Sequence, residues 1–105
     1  MAIIYITPNQ TVEIYNKGNI FIPFIHNDAI IKNNGPAPVR LINYWAPPSG
    51  NYNQYISIDI LPGETRTLSA PPNLIYYYKV EAINLSNNEP TEIEFLVLTS
   101  DPDWN

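Results

Sequence analysis

The chain has 105 residues, no cysteine and a formal net charge of −5, with 14% charged and 45% hydrophobic residues. This length fits one domain whose core is large enough to fold without covalent staples. The lack of cysteine excludes disulfides and cysteine-ligated zinc. The five basic residues are scattered, which argues against a nucleic-acid partner because such binding needs a basic face.

The surface is expected to be poor in charge, since soluble domains usually carry about 25% charged residues. Such a surface fits a subunit whose exterior is largely covered by neighbouring subunits. The alternative is a monomer whose surface is covered by neutral polar side chains of Asn, Ser, Thr and Tyr.

Helices and membrane spans are not expected. Eleven prolines and many β-branched and aromatic residues oppose helix formation. No run approaches the roughly 20 apolar residues of a membrane-spanning helix. Residues 1–6 are apolar but too short for a signal peptide and lack its basic start, so no recognisable signal peptide is present.

Short alternating runs separated by turn residues predict an all-β protein. Ile56, Ile58 and Ile60 alternate with polar residues, which indicates a strand with one buried face. Pro62 and Gly63 then form a turn signal. In chain order, strands are predicted at residues 2–7, 12–15, 20–26, 29–32, 39–44, 55–60, 64–69, 74–85 and 91–99.

This spacing is typical of a two-sheet antiparallel β-sandwich or jelly roll of eight or nine short strands. We predict one domain over residues 1–105, in which residues 1–10 form an N-terminal connector or donor strand and residues 100–105 a flexible tail. Pro23 lies within the predicted strand 20–26 and cannot donate a ladder hydrogen bond, so that strand is expected at a sheet edge or a bulge.

No catalytic constellation is visible. His26 is the single histidine, and no serine and acid stand at a suggestive spacing from it. Glu92 and Glu94 would share one strand face, and we interpret them as a solvated surface rather than as an acid–base pair. The chain is therefore not expected to be an enzyme, and no cofactor or metal site is predicted.

Aromatic residues on and beside the polar loop 45–53 form the candidate ligand contact. Trp45, Tyr52 and Tyr55 could offer a platform for a sugar ring. The same residue types serve as anchors of protein interfaces or as core residues. These aromatic residues are therefore expected to contact a glycan, to anchor a protein interface or to belong to the core.

The chain from Asn34 onward resembles the jelly-roll subunits of bacterial endospore appendages. The resemblance rests on a Gly-Pro-Ala-Pro-Val sequence at residues 35–39, a Leu-Pro-Gly-Glu-Thr turn at 61–65, and a closing Phe-Leu-Val-Leu at 95–98. It implies a jelly roll with an N-terminal extension that docks onto the preceding subunit. Members of that family lock the extension with cysteines, and this chain has none.

The first functional hypothesis is therefore a structural subunit that assembles with copies of itself into a fibre by β-strand augmentation. The alternative is a carbohydrate- or receptor-binding sandwich, including a viral or phage decoration protein. Either role would place the protein at a cell, spore or virion surface. The residues expected at the self-assembly interface are Ile3, Ile4, Tyr5, Ile6, Ile20, Ile22, Ile25, Leu96 and Leu98.

Overall fold

A computed structural model describes residues 2–98, and within these residues the chain forms eight strands and no helix. The all-β, two-sheet antiparallel fold expected from the sequence is confirmed. The strands are β1 (Ala2–Ile6), β2 (Thr11–Gly18), β3 (Ala29–Pro36), β4 (Val39–Ala46), β5 (Asn53–Ile60), β6 (Thr65–Leu68), β7 (Tyr77–Asn84) and β8 (Thr91–Val97). The predicted tail, 100–105, lies outside the described residues.

The strands form two four-stranded antiparallel sheets, ordered β1-β8-β3-β6 and β2-β7-β4-β5. This order is that of a jelly roll, in which consecutive strands mostly cross from one sheet to the other. Register pairs Gly18 and Ala46 with Tyr77. Loops 19–28, 47–52 and 69–76 therefore leave the same end of the sandwich, which we call the aromatic end.

One hydrophobic core lies between the two sheets, because alternate residues of each strand face inward. β4 and β7 show this alternation most clearly, since buried and half-buried side chains follow one another along both strands. The fully buried apolar side chains of the core are Ile6, Ile31, Leu41, Ile60, Leu68, Ile93, Val39 and Val80.

The predicted strand at residues 20–26 is wrong: this segment is a loop, and its β-pairing is limited to an isolated bridge between Phe24 and Ile75. Two local features explain the difference. Pro23 has no N–H to offer a ladder. The side-chain oxygen of Asn19 accepts hydrogen bonds from the backbone N–H groups of Phe21 and Ile22, which fixes a turn instead.

The N-terminal strand is paired within its own chain. β1 lies antiparallel to β8, with Ala2 opposite Phe95 and Ile6 opposite Thr91. Ile6 is fully buried and Ile4 packs against the same core. The donor-strand hypothesis requires both side chains to be free to insert into a neighbouring subunit, and they are not. The large apolar side chains that remain exposed on this strand are Ile3 and Tyr5.

The acceptor edge expected at Leu96 and Leu98 also needs correction. β8 is an interior strand between β1 and β3, and Leu96 pairs with Ile30. Leu98 lies just after β8, where its N–H donates to the carbonyl of Asp28. Neither residue belongs to a free sheet edge, because Leu96 is paired with β3 and Leu98 is bonded to the residue that precedes β3.

Buried asparagines tie loops to the ends of strands. The Nδ2 of Asn33 donates to the carbonyls of Ala37 and Ile60, and its Oδ1 accepts from the Gly35 N–H and the Thr91 hydroxyl. These bonds hold the bulge that the chain makes between Asn33 and Gly35 in β3. Three of these four hydrogen bonds are buried and the one from Gly35 is partly buried, so water cannot replace them without cost.

Replacing Asn33 by alanine is expected to lower the free energy of unfolding by about 2–4 kcal/mol, because several buried polar groups lose their partners. The adjacent Asn34 is the matched control: it is exposed and makes one side-chain bond, to Glu92. We expect Asn34→Ala to change stability by less than about 0.5 kcal/mol. Urea unfolding of both variants checks this, and equal losses would contradict the assigned role of Asn33.

Candidate ligand-binding site

A surface pocket of about 350 Å³ opens at the aromatic end. Pockets that hold small ligands usually start at roughly 300 Å³ and are mostly apolar. The lining here is apolar and aromatic apart from one amide side chain. The residues around the pocket are Trp45, Tyr55, Pro71, Pro72, Asn73, Leu74 and Ile75.

Trp45 reaches the pocket because it continues the inward face of β4. Val39, Leu41 and Asn43 precede it on that face and are fully buried. At Trp45 the strand nears the aromatic end, and loop 69–76 rather than the opposite sheet lies against it. The indole is therefore half-buried, with part of its surface open to a ligand.

A β-bulge sets the position of Tyr55. Asn43 pairs with Ile56, whereas the next residue, Tyr44, pairs with Gln54, so Tyr55 has no residue opposite it on β4. A bulge of this kind redirects a side chain. It leaves Tyr55 exposed at the pocket, beside Trp45.

The buried Asn43 joins this bulge to loop 69–76. Its Nδ2 donates to the Ser69 carbonyl (2.9 Å) and to the Tyr78 hydroxyl oxygen (3.0 Å), and its Oδ1 accepts from the Ile56 N–H (2.8 Å). One amide thus fixes the strand that carries Tyr55 and the start of the loop that forms the opposite wall. Burial raises the pKa of Tyr78 to about 12, so this phenol stays neutral.

Tyr52, the third residue of the predicted platform, lies elsewhere. The ammonium of Lys79 stands 4.4 Å from the centre of the Tyr52 ring and 5.2 Å from that of Tyr44. Tyr44 and Lys79 are paired on the outward face of the β2-β7-β4-β5 sheet. The structure therefore brings Trp45 and Tyr55 together at the pocket and places Tyr52 in a cation–π cluster on another surface.

His26 lies beneath the loop next to the pocket rather than in it. Its ring stacks on Tyr78 at 4.6 Å between ring centres and meets Phe24 edge-on. Its Nε2 is buried without a hydrogen-bond partner. Burial lowers the pKa of His26; the positive charge of Lys17 adds to the lowering, and a hydrogen bond with the Ile75 backbone opposes it.

Sequence reasoning missed one wall of this site. Residues 70–73 are predicted as an interruption and residues 74–75 as the start of a strand, whereas β7 begins at Tyr77 and residues 71–75 line the pocket. Their Pro-Pro pair signals a rigid extended segment but not which residues it faces. Asn43 was also missed, since an asparagine at an inward strand position is recognised as buried only when its partners are known.

Residues 2–98 contain neither a membrane-spanning helix nor a metal-binding cluster. No helix in this part of the chain is long and apolar enough to cross a membrane. Over the same residues, no group of three or more His, Asp or Glu side chains is arranged to hold a metal ion.

Fold and pocket define a small jelly-roll domain with an aromatic pocket at one end of the sandwich. The sequence model of the family described as PirA-like matches residues 1–94, and the chain belongs to this family. A solved structure described as the crystal structure of PirA superimposes with a TM-score of 0.77 at 23% identity, covering 90% of this chain and 92% of that chain. No curated protein matches the sequence significantly.

These matches agree with the β-rich fold that the endospore-appendage resemblance implied, but neither involves a spore appendage. At 23% identity, the similarity to the PirA structure is evidence for the fold alone. Function therefore has to be argued from this chain's own residues.

The lowered pKa of His26 predicts a stability that falls in mild acid. In the unfolded chain this histidine takes up a proton near its ordinary pKa of about 6.5. In the folded chain its pKa is lower, so protonation requires a lower pH. The free energy of unfolding should therefore fall as the pH drops from about 6.5 toward the lowered pKa of the folded state. Thermal melts between pH 7.5 and 5.5 measure this.

His26→Phe is the control because it keeps a ring against Tyr78 but cannot take up a proton. As the chain has one histidine, the variant should lose most of the pH dependence in this window. A variant that loses stability with falling pH as steeply as the original protein would contradict the assignment to His26.

Proposed function

We propose that this protein is a non-catalytic recognition module that binds its ligand in the pocket between Trp45, Tyr55 and residues 71–75. The observation that carries the proposal is the convergence of two aromatic side chains on a pocket of about 350 Å³ whose lining is otherwise almost wholly apolar. A surface of this kind binds through stacking and apolar contact rather than through acid–base chemistry.

A sugar ring is the ligand class that this lining favours. Carbohydrate rings present apolar C–H faces that pack on indole and phenol rings, while their hydroxyls need a few polar partners. Asn73 and the Tyr55 hydroxyl supply such partners at the rim. A receptor side chain with an aromatic or aliphatic face is the other ligand that this chemistry accepts.

Trp45→Ala and Tyr55→Ala are each expected to weaken binding roughly tenfold or more, since each removes a stacking surface. Tyr52→Ala is the matched control: it removes an aromatic residue with similar exposure to Tyr55 that does not line the pocket. A glycan array followed by titration calorimetry on the best ligand measures these effects. Equal losses in all three variants, or none, would contradict the pocket as the binding site.

Self-assembly is the second candidate, and one observation favours it. β1 is an edge strand, and its outward side chains Ile3 and Tyr5 are 64% and 62% exposed. Apolar edge strands are pairing sites for other chains. Because β1 already pairs with β8, augmentation would add a second copy alongside β1 rather than use β1 as a donated strand. This candidate keeps the surface location proposed from the sequence.

Ile3→Lys tests the edge, because a charge on an edge strand opposes pairing without opening the core. If β1 edges assemble, the original protein forms filaments or oligomers in negative-stain images and light scattering, and Ile3→Lys is monomeric. Leu61→Lys, which changes another exposed apolar residue, should leave the assembly intact. An original protein that is monomeric at every concentration would eliminate this candidate.

A further inference from the structure

The loop beside the pocket exposes an unusual density of apolar side chains. Within six residues, Ile20, Phe21, Ile22 and Ile25 are 51%, 84%, 58% and 66% exposed. Single exposed hydrophobic residues are normal, but a contiguous group marks an interaction surface. We call residues 20–25 the apolar loop.

The backbone N–H groups at the tip of the apolar loop already have hydrogen-bond partners within the chain. Phe21 and Ile22 donate their N–H groups to the Asn19 side-chain oxygen at 2.7 and 3.2 Å, and Phe24 donates to the Ile75 carbonyl at 2.9 Å. Pro23 has no N–H. The four consecutive residues 21–24 therefore need no water for their donors, which is the requirement for entering a medium that offers no hydrogen bonds.

Among residues 2–98, negative charge is almost absent from the loops at this end of the sandwich. Although the chain has ten acidic residues, loops 19–28, 47–52 and 69–76 contain one, Asp28. Its Oδ1 accepts the Ala70 N–H at 2.8 Å. The other described acidic residues lie on strands or at the opposite end, where Glu64 is in the β5–β6 turn and Glu89 in the β7–β8 loop.

Aromatic residues with polar tips lie at the same end of the sandwich as the apolar loop. Tyr55 and Tyr52 are exposed, and Trp45 is half-buried at the same end. Tyrosine and tryptophan are the side chains enriched where a membrane meets water, because their rings are apolar and their O–H or N–H groups remain hydrated.

From these observations we propose that the aromatic end docks on a lipid bilayer surface, with the apolar loop inserted at the boundary between headgroups and acyl chains. A lipid surface fits better than a protein partner because the Phe21 ring has almost no neighbours in its own chain. A protein would need a pocket for each such side chain, whereas fluid lipid fills around isolated side chains. The proposal goes beyond ligand recognition and does not depend on it.

The apolar loop is held in place before it meets lipid. Phe24 and Ile75 exchange two backbone hydrogen bonds of 2.9 Å, and His26 is packed on Tyr78 beneath the loop. Little conformational freedom is therefore lost on docking. Because loops 19–28, 47–52 and 69–76 contain one acidic residue and no Lys or Arg, insertion should depend on apolar contact rather than on attraction to anionic lipid.

Co-sedimentation with phosphatidylcholine vesicles tests the proposal on the full chain. We expect the protein to pellet with the vesicles to the same extent at low and high salt, and equally when one fifth of the lipid is phosphatidylserine. Phe21→Asp should reduce the apparent partition coefficient roughly tenfold or more, because it removes the most exposed apolar side chain and adds a charge to the loop. Leu61→Asp, 57% exposed in the turn at the opposite end, is the matched control and should bind as the original protein does.

Thermal melts of both variants ensure that loss of binding reflects the loop and not unfolding. Phe21 does not line the pocket, so Phe21→Asp should still bind the pocket ligand as the original protein does, which separates this proposal from the recognition function. The proposal is overturned if the original protein stays in the supernatant, if Phe21→Asp pellets equally well, or if binding needs anionic lipid and disappears with salt. A dimer that Phe21→Asp dissociates, without vesicle binding, would instead assign the loop to contact between copies.

Discussion

The aromatic end depends on the side-chain amide of Asn43. This group is fully buried and bonds to the Ile56 N–H, the Ser69 carbonyl and the Tyr78 hydroxyl, which belong to β5, the β6–β7 loop and β7. A buried amide is expensive to leave unpaired, so its three partners must keep their positions together. Asn43 thereby holds the two walls of the pocket at a fixed separation.

The same contact extends to the apolar loop. Tyr78, held by Asn43, supports the ring of His26, and Ile75 holds Phe24 through two backbone hydrogen bonds. Ile75 also lines the pocket. Ligand recognition in the pocket and lipid contact at the loop would therefore share one rigid segment, residues 71–75, although each uses different side chains. A protein anchored by the apolar loop would present its pocket at the membrane surface.

Particular residues show why the sequence predicted some features and missed others. Ile56, Ile58 and Ile60 alternate with polar residues, and that local pattern suffices to predict a strand. Residues 20–26 have the same apolar character, yet they form a loop. Pro23 has no N–H, and the Asn19 side chain accepts the N–H groups that would otherwise pair with a neighbouring strand. Trp45 and Tyr55 were recognised as contact residues by type, but the separation of Tyr52 from them required the register of β4 and β5.

The sequence by itself determined that the chain is all-β, that it forms a single two-sheet sandwich, and that Pro62 and Gly63 make a turn, where Gly63 takes a positive φ of 86°. These features follow from alternation and turn chemistry, which act between near neighbours in the chain. Only the tertiary structure decided that β1 pairs with β8 and that residues 71–75 face Trp45. It also decided that Glu64 and Glu89 lie at the end of the sandwich opposite the apolar loop. Each of these depends on contacts between residues far apart in sequence, and composition and spacing carry no information about which distant strands meet.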